Sequence, residues 1–260
     1  MFDTYFICTA PRSGSTLLCR LLTATGAAGR PESYFHRPSL EAWKQANGVA
    51  ASANADELAV LGEVFQAVLR DASDGCDLRG IRLQAHSLPF FLEQLRRIHP
   101  GTESDKARIE RIFGSTCFIH LKRPGKLDQA VSYLIAEQSG LWHRNADGSE
   151  LERLAPHKDP LYDFDRIAAC KAEMADYDAT WDTWFQTERI SPLRVTYPDL
   201  ASDPLAVLRR VLVALGKDPK CADGVTPPVR KLADATNAAW VERFLADGEA
   251  RNKKGAVKAP

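Results

Sequence analysis

Arg12, Ser13, Gly14, Ser15 and Thr16 stand between an alternating apolar stretch, Thr4 to Cys8, and a helical pattern of Leu17, Leu18, Leu21 and Leu22. Strand, tight loop and helix in that order make an anion-binding geometry. The first amides of a helix have no intrahelical partner and carry the positive end of its dipole. Gly14 lets the backbone close around an anion, and the side chains of Arg12, Ser13, Ser15 and Thr16 add donors. Against the nucleotide-hydrolysing loop GxxxxGK[ST], Gly14 and Thr16 fall into register while Ser15 fills the lysine position. Arg12 is then the cation for the anionic group, an arrangement better suited to a terminal oxyanion than to a magnesium-bound triphosphate. A thiol-phosphatase loop is a poorer match, because three residues separate Cys8 from Arg12 where that loop needs about five. Cys8 is read as facing inward from the strand.

Pro11 to Thr16 resembles the loop with which sulfotransferases bind the 5′-phosphosulfate of 3′-phosphoadenosine 5′-phosphosulfate (PAPS). The wider stretch through Leu17, Leu18, Thr25-Gly26, Gly29, Pro31 and Tyr34-Phe35 is similar to the bacterial Stf0 sulfotransferases, and later segments to about residue 245 are similar too. The resemblance implies transfer of a sulfuryl group from PAPS to a hydroxyl of a carbohydrate or glycolipid, with a general base, no metal and a homodimeric assembly. Arg123, where the chain leaves the strand Cys117 to Leu121, and Ser132, on the helix that follows, resemble the sulfotransferase pair that holds the 3′-phosphate. A planar guanidinium and a hydroxyl suit a dianion. Tyr197 resembles the aromatic that flanks the adenine, and Arg230-Lys231 an approach to the 3′-phosphate.

Three residues compete for the base. The Stf0 pattern resembled is Pro-x-Glu-aromatic-Phe, whereas this chain has Pro31-Glu32-Ser33-Tyr34-Phe35, so Glu32 is displaced by one position and Ser33 fills the slot. His86 lies in Arg82-Leu-Gln-Ala-His-Ser-Leu-Pro89, which resembles the Lys-x-His-Leu-Pro element of cytosolic sulfotransferases, with Arg82 in place of the lysine and a different spacing. Imidazole suits proton acceptance near neutral pH. His36 directly follows the aromatic pair. His120, inside a strand, is read as core or hydrogen-bonded structure.

These residues need a scaffold. The runs Tyr5 to Cys8, Ile81 to Leu83, Cys117 to Leu121 and Leu193 to Val195 alternate with helical patterns. That order predicts an α/β/α sandwich with a mainly parallel sheet, a P-loop-like sulfotransferase fold, in one domain over 1–260. In parallel sheets ligands bind beyond the carboxyl ends of the strands. A helix is predicted from Phe164 to Phe185, another from Pro124 to Gln138, and a third capped by Ser202 or Asp203 with Pro204 in its first turn and Gly216 at its end. Residues 47–54 and 143–160 read as irregular, the second as a surface loop placed to serve as a lid, and the tail frays from about Arg251.

With 34 basic and 34 acidic side chains the chain has no global field for nucleic acid or an acidic membrane. The six cysteines are dispersed without a CxxC pair, which argues against zinc and a disulfide framework. Neither a signal segment nor a membrane span is apparent, so a cytoplasmic setting is expected. The competing function class, a P-loop small-molecule kinase using ATP and magnesium, lacks its lysine at Ser15 and an acidic strand end for the metal.

Overall fold

The computed structural model describes residues 1–50, 56–101, 103–145, 147–227, 229–230 and 235–256. In chain order the elements are β1 (Thr4–Thr9), α1 (Ser15–Ala24), α2 (Leu40–Ala46), α3 (Glu57–Ser73), β2 (Arg79–Gln84), α4 (Leu88–Ile98), α5 (Asp105–Phe113) and β3 (Thr116–Lys122). There follow α6 (Lys126–Ser139), β4 (Leu141–Asn145), β5 (Glu150–Arg153), α7 (Phe164–Thr187), β6 (Leu193–Thr196), α8 (Tyr197–Ser202), α9 (Pro204–Ala214), β7 (Val229–Arg230) and α10 (Ala235–Ala256). The chain groups into two compact units, Met1–Lys122 with Tyr177–Pro227, and Arg123–Asp176 with Pro228–Pro260.

The first unit holds a parallel sheet in the order β2-β1-β3-β6. β1 is buried along its whole length, as an interior parallel strand must be, and so reads as an apolar run on both faces. Phe6 and Cys8 enter one core with Ile81, Leu83 and Phe118; Tyr5 and Ile7 enter the other with Ile119, Leu121 and Val195. Helices α3, α4, α5 and the end of α7 supply the first core, and α1 and α9 the second. The sheet is therefore covered on both faces, as the α/β/α reading requires. Phe6 sits at the centre of an aromatic cluster, 5.2 Å from Phe113 edge-on and 5.9 Å from Phe118 stacked.

All four expected strands are present, and the registers place their carboxyl ends at one edge: Thr9 lies opposite Gln84 and Leu121, and Lys122 opposite Thr196. The chain runs outward from β1 to β2 and returns across β1 to β3, which makes the β1–β3 boundary a topological switch point. Glu32 forms an isolated parallel bridge with Ile81, extending the sheet beyond β2. α9 starts as expected: the Asp203 side chain accepts from the Ala206 amide at 2.9 Å, and Pro204 occupies the first turn.

The second unit differs from the sequence reading at 143–160. Its described residues contain the antiparallel hairpin β4–β5, and β7 pairs with β4 to complete a three-stranded sheet. The hairpin lacks a strand's usual signature because polar pairs hold it: His143 lies 3.5 Å from Glu152, and Arg144 donates to the Gly148 carbonyl at 3.0 Å. α10 continues through Arg251, whose guanidinium pairs with Asp165 at 2.6 Å and lies over the Phe164 ring. Helical order thus extends past the point where fraying is expected. Residues 51–54 of the first irregular segment, Lys231 and residues 257–260 of the tail lie outside the described residues.

Candidate active site

The loop between β1 and α1 closes through two left-handed residues, Arg12 at φ 60° and Gly14 at φ 90°. Such turns direct backbone amides toward one side, the concave arrangement that receives anions. Gly14 is the N-cap of α1; no side chain caps that end, and the first turn carries no acidic residue. The positive end of the helix is thus suited to an external anion. Ser13 behaves differently from the sequence expectation. It is fully buried, and its hydroxyl is bonded to Thr9 Oγ1, which also donates to the Leu121 carbonyl at 3.0 Å. Its side chain anchors the loop to the sheet, so Ser13 can face an anion only through its backbone. Ser15 is also buried.

From above, Trp181 of α7 donates its indole N–H to the Thr9 carbonyl at 2.9 Å. At the foot of α8, Tyr197 packs its ring on Gly14; a Cβ built on the glycine would lie 2.6 Å from ring Cδ2. Glycine is required there by conformation and by space alike.

Arg82 joins this loop to the neighbouring segment. Its Nη1 donates to Thr16 Oγ1 at 2.9 Å and its Nε to Ser33 Oγ at 2.7 Å, while its backbone amide donates to the Glu32 carbonyl at 2.9 Å. The bond from Arg82 fixes the Thr16 hydroxyl in place in the first turn of α1. The residue in the displaced-carboxylate slot, Ser33, is thereby held by a cation, and Glu32 itself is exposed at the outer edge of β2.

Beyond β2 the two candidate histidines meet, with ring centroids 5.1 Å apart. The His36 carbonyl accepts from Ser87 Oγ at 2.6 Å and from His86 Nε2 at 3.3 Å. Desolvation, reinforced by His86, Arg82 and Arg37, lowers the pKa of His36 from 6.5 to about 4. Cys8, considered as a nucleophile, is buried, and desolvation raises its pKa well above the ordinary thiol value.

The chain matches the Stf0 sulphotransferase family model over residues 4–247. It belongs to the Stf0 family. Two trehalose 2-sulfotransferases are similar to it. That of Mycobacterium tuberculosis (strain ATCC 35801 / TMC 107 / Erdman) is 28% identical, covering 94% of each chain. That of Mycolicibacterium smegmatis (strain ATCC 700084 / mc(2)155) is 28% identical, covering 94% of this chain and 95% of the relative. Among solved structures, the sulfotransferase domain of the Synechococcus PCC 7002 olefin synthase matches with a TM-score of 0.39 at 17% identity, over 94% of this chain and 95% of that one. A sulfotransferase from Alicyclobacillus acidocaldarius matches with a TM-score of 0.44 at 14% identity, over 100% of this chain and 97% of that one.

In this Stf0 chain the first unit brings together Arg12, Gly14, Thr16, Arg82, Ser33 and Tyr197, with the His36–His86 pair beside them. Arg123 and Ser132 belong to the second unit, where Arg123 is half-buried directly after β3 and Ser132 is buried on α6. Sequence reasoning missed the charge cluster beneath the strand ends, in which Lys122 pairs with Asp182 at 2.8 Å and Asp182 with Arg194 at 3.1 Å. Burial works to raise the Asp182 pKa, but hydrogen bonds from Lys122 and Arg194 prevail and hold it below the usual carboxylate value. Fully buried His120 lies in the same cluster, 3.3 Å from Arg194. Among the described residues no His, Cys, Asp and Glu group is arranged to hold a metal, and no helix is long and apolar enough to cross a membrane.

Proposed function

We propose that this Stf0 chain transfers the sulfuryl group of PAPS to a hydroxyl of a carbohydrate or the sugar headgroup of a glycolipid. The observation that carries the reading is the left-handed turn at Arg12 and Gly14 opening onto the uncapped start of α1. In the transfer, the bond from sulfur to the 5′-phosphate oxygen breaks and a bond from sulfur to the acceptor oxygen forms. The hydroxyl proton passes to a base, leaving a sulfate ester and adenosine 3′,5′-bisphosphate. Arg12, the amides of Ser13 to Thr16 and the Thr16 hydroxyl hold the 5′-phosphosulfate and stabilise charge on the leaving phosphate. Arg123 and Ser132 are assigned to the 3′-phosphate and Tyr197 to the adenine, as the family resemblance implies.

His86 is the favoured base. Its ring is held 3.3 Å from the His36 carbonyl, whereas the lowered pKa of His36 makes that ring a weaker proton acceptor. Glu32 is the competing assignment. The acceptor is a sugar hydroxyl as a class, since the relatives' names point to trehalose while Ser33 occupies the slot where the resembled pattern has its glutamate.

Calorimetric titration with adenosine 3′,5′-bisphosphate, beside ADP and ATP without metal, tests the donor assignment. Selective binding of the bisphosphate, weakened by Arg12→Ala and by Arg123→Ala, is expected. Equal or tighter binding of ATP would favour a kinase. His86→Asn is expected to spare bisphosphate binding and lower kcat; a loss confined to Glu32→Gln would transfer the role to the carboxylate, and a kcat unchanged in both would remove both assignments.

A further inference from the structure

Gln84 is the last residue of β2 and lies opposite Thr9 in the register. Its backbone is extended, at φ −84° and ψ 146°, so the alternation of the strand persists to its end. Ile81 and Leu83 enter the aromatic core, while Arg82 reaches Thr16 on the other face. Gln84 shares the face of Arg82, at the edge where the anion loop begins. The residue is 9% exposed, and its Oε1 is buried without a hydrogen-bond partner among the described residues. A buried carbonyl with no partner destabilises a fold, and an apolar side chain of similar size would carry no such penalty.

The chemistry of the atom limits what satisfies it. With the amide in this orientation Oε1 accepts and cannot donate, and ionised sulfuryl and phosphate oxygens also only accept, so neither anionic end of PAPS partners that atom. An O–H or N–H group is required. The adenosine of PAPS carries such groups too, on the side where its assigned neighbour Tyr197 packs on Gly14. On the β2 side the neighbours in the chain fold are Ser33, held by Arg82, and the His36–His86 pair.

We propose that Gln84 is an acceptor-binding residue whose side-chain carbonyl takes a hydrogen bond from a hydroxyl of the sugar, fixing which oxygen faces the sulfuryl group. This rests on the reading above. A sugar offers several hydroxyls, so a buried acceptor beside the reacting centre selects polyols over simple alcohols.

The test compares the full-length wild type with Gln84→Met and Gln84→Leu. It uses thermal melts without substrate, calorimetry with adenosine 3′,5′-bisphosphate, and PAPS-driven sulfation of trehalose, maltose and glucose. The expected result is an unchanged or higher Tm, an unchanged bisphosphate Kd, and a KM for the sulfated sugar raised about ten-fold or more. A lower Tm in both variants would make the amide structural. Weaker bisphosphate binding would assign it to the nucleotide, and an unchanged sugar KM would remove it from the acceptor site. Each of these overturns the proposal while leaving the sulfotransferase reading intact. A wild type that binds the bisphosphate but sulfates no sugar would defeat the carbohydrate reading and the Gln84 assignment together.

Discussion

The Tyr197 ring occupies the space beside Gly14 so fully that a Cβ on the glycine would fall 2.6 Å from Cδ2 and 3.1 Å from Cε2. Gly14 also has φ +90°, which L-residues rarely adopt. Gly14→Ala is therefore expected to cost on the order of 1–3 kcal/mol from backbone strain, with the ring contact added, and to abolish measurable bisphosphate binding. Adding Tyr197→Ala is expected to recover the steric part of the Tm loss and leave binding impaired. Recovery of both would show that the left-handed turn is dispensable.

Arg12 combines a left-handed backbone, φ 60°, with the side chain assigned to the anion. Arg12→Gly relieves the conformation and removes the cation. Its expected signature is a Tm held or slightly raised, with bisphosphate affinity reduced at least about ten-fold, the scale of a lost charge-assisted hydrogen bond. Differential scanning calorimetry and titration on one preparation check it. Unchanged affinity would remove Arg12 from the donor site.

Arg82 holds Thr16 and Ser33 with two nitrogens of one guanidinium. A lysine has a single ammonium and cannot reproduce that fork. Arg82→Lys is expected to lower kcat more than it weakens bisphosphate binding, because the bridge positions the 32–36 segment against the loop. Single-turnover rates beside titration separate the two effects, and equal losses in both would make Arg82 a donor ligand only.

His36 gives a pH prediction. Its folded pKa, about 4, lies below its ordinary value of 6.5, so between those values the unfolded chain binds more protons at this site. Stability then rises with pH across that window, and acidification from 6.5 toward 4 weakens the fold until both states are protonated. His36→Gln is expected to flatten that part of the Tm–pH curve while leaving the curve above about pH 7 unchanged. A slope identical to wild type would place the His36 pKa near its ordinary value.

The loop from Arg12 to Thr16 was legible because its determinants are adjacent in the chain, and the four parallel strands because short apolar runs alternate with helical patterns. Arg82 and Thr16 are 66 residues apart; their meeting depends on β2 pairing beside β1, which no local pattern encodes. The packing of Tyr197 on Gly14 likewise depends on β6 and β1 belonging to one sheet. Ser13 was expected to offer its hydroxyl to the anion, whereas its inward bond to Thr9 follows from the loop's curvature. The hairpin β4–β5 escaped notice since its contacts are polar, His143 beside Glu152, Arg153 on Glu150 and Arg144 on the Gly148 carbonyl, and it carries no apolar alternation.

The central claim is sulfuryl transfer from PAPS to a sugar. Incubating the chain with 35S-labelled PAPS and the sugar panel, and following labelled ester together with adenosine 3′,5′-bisphosphate, tests it most directly. The account predicts label in a sugar ester and an equimolar bisphosphate, both lost in Arg12→Ala. Absence of labelled ester, with phosphate instead transferred to the sugar from ATP, would contradict it.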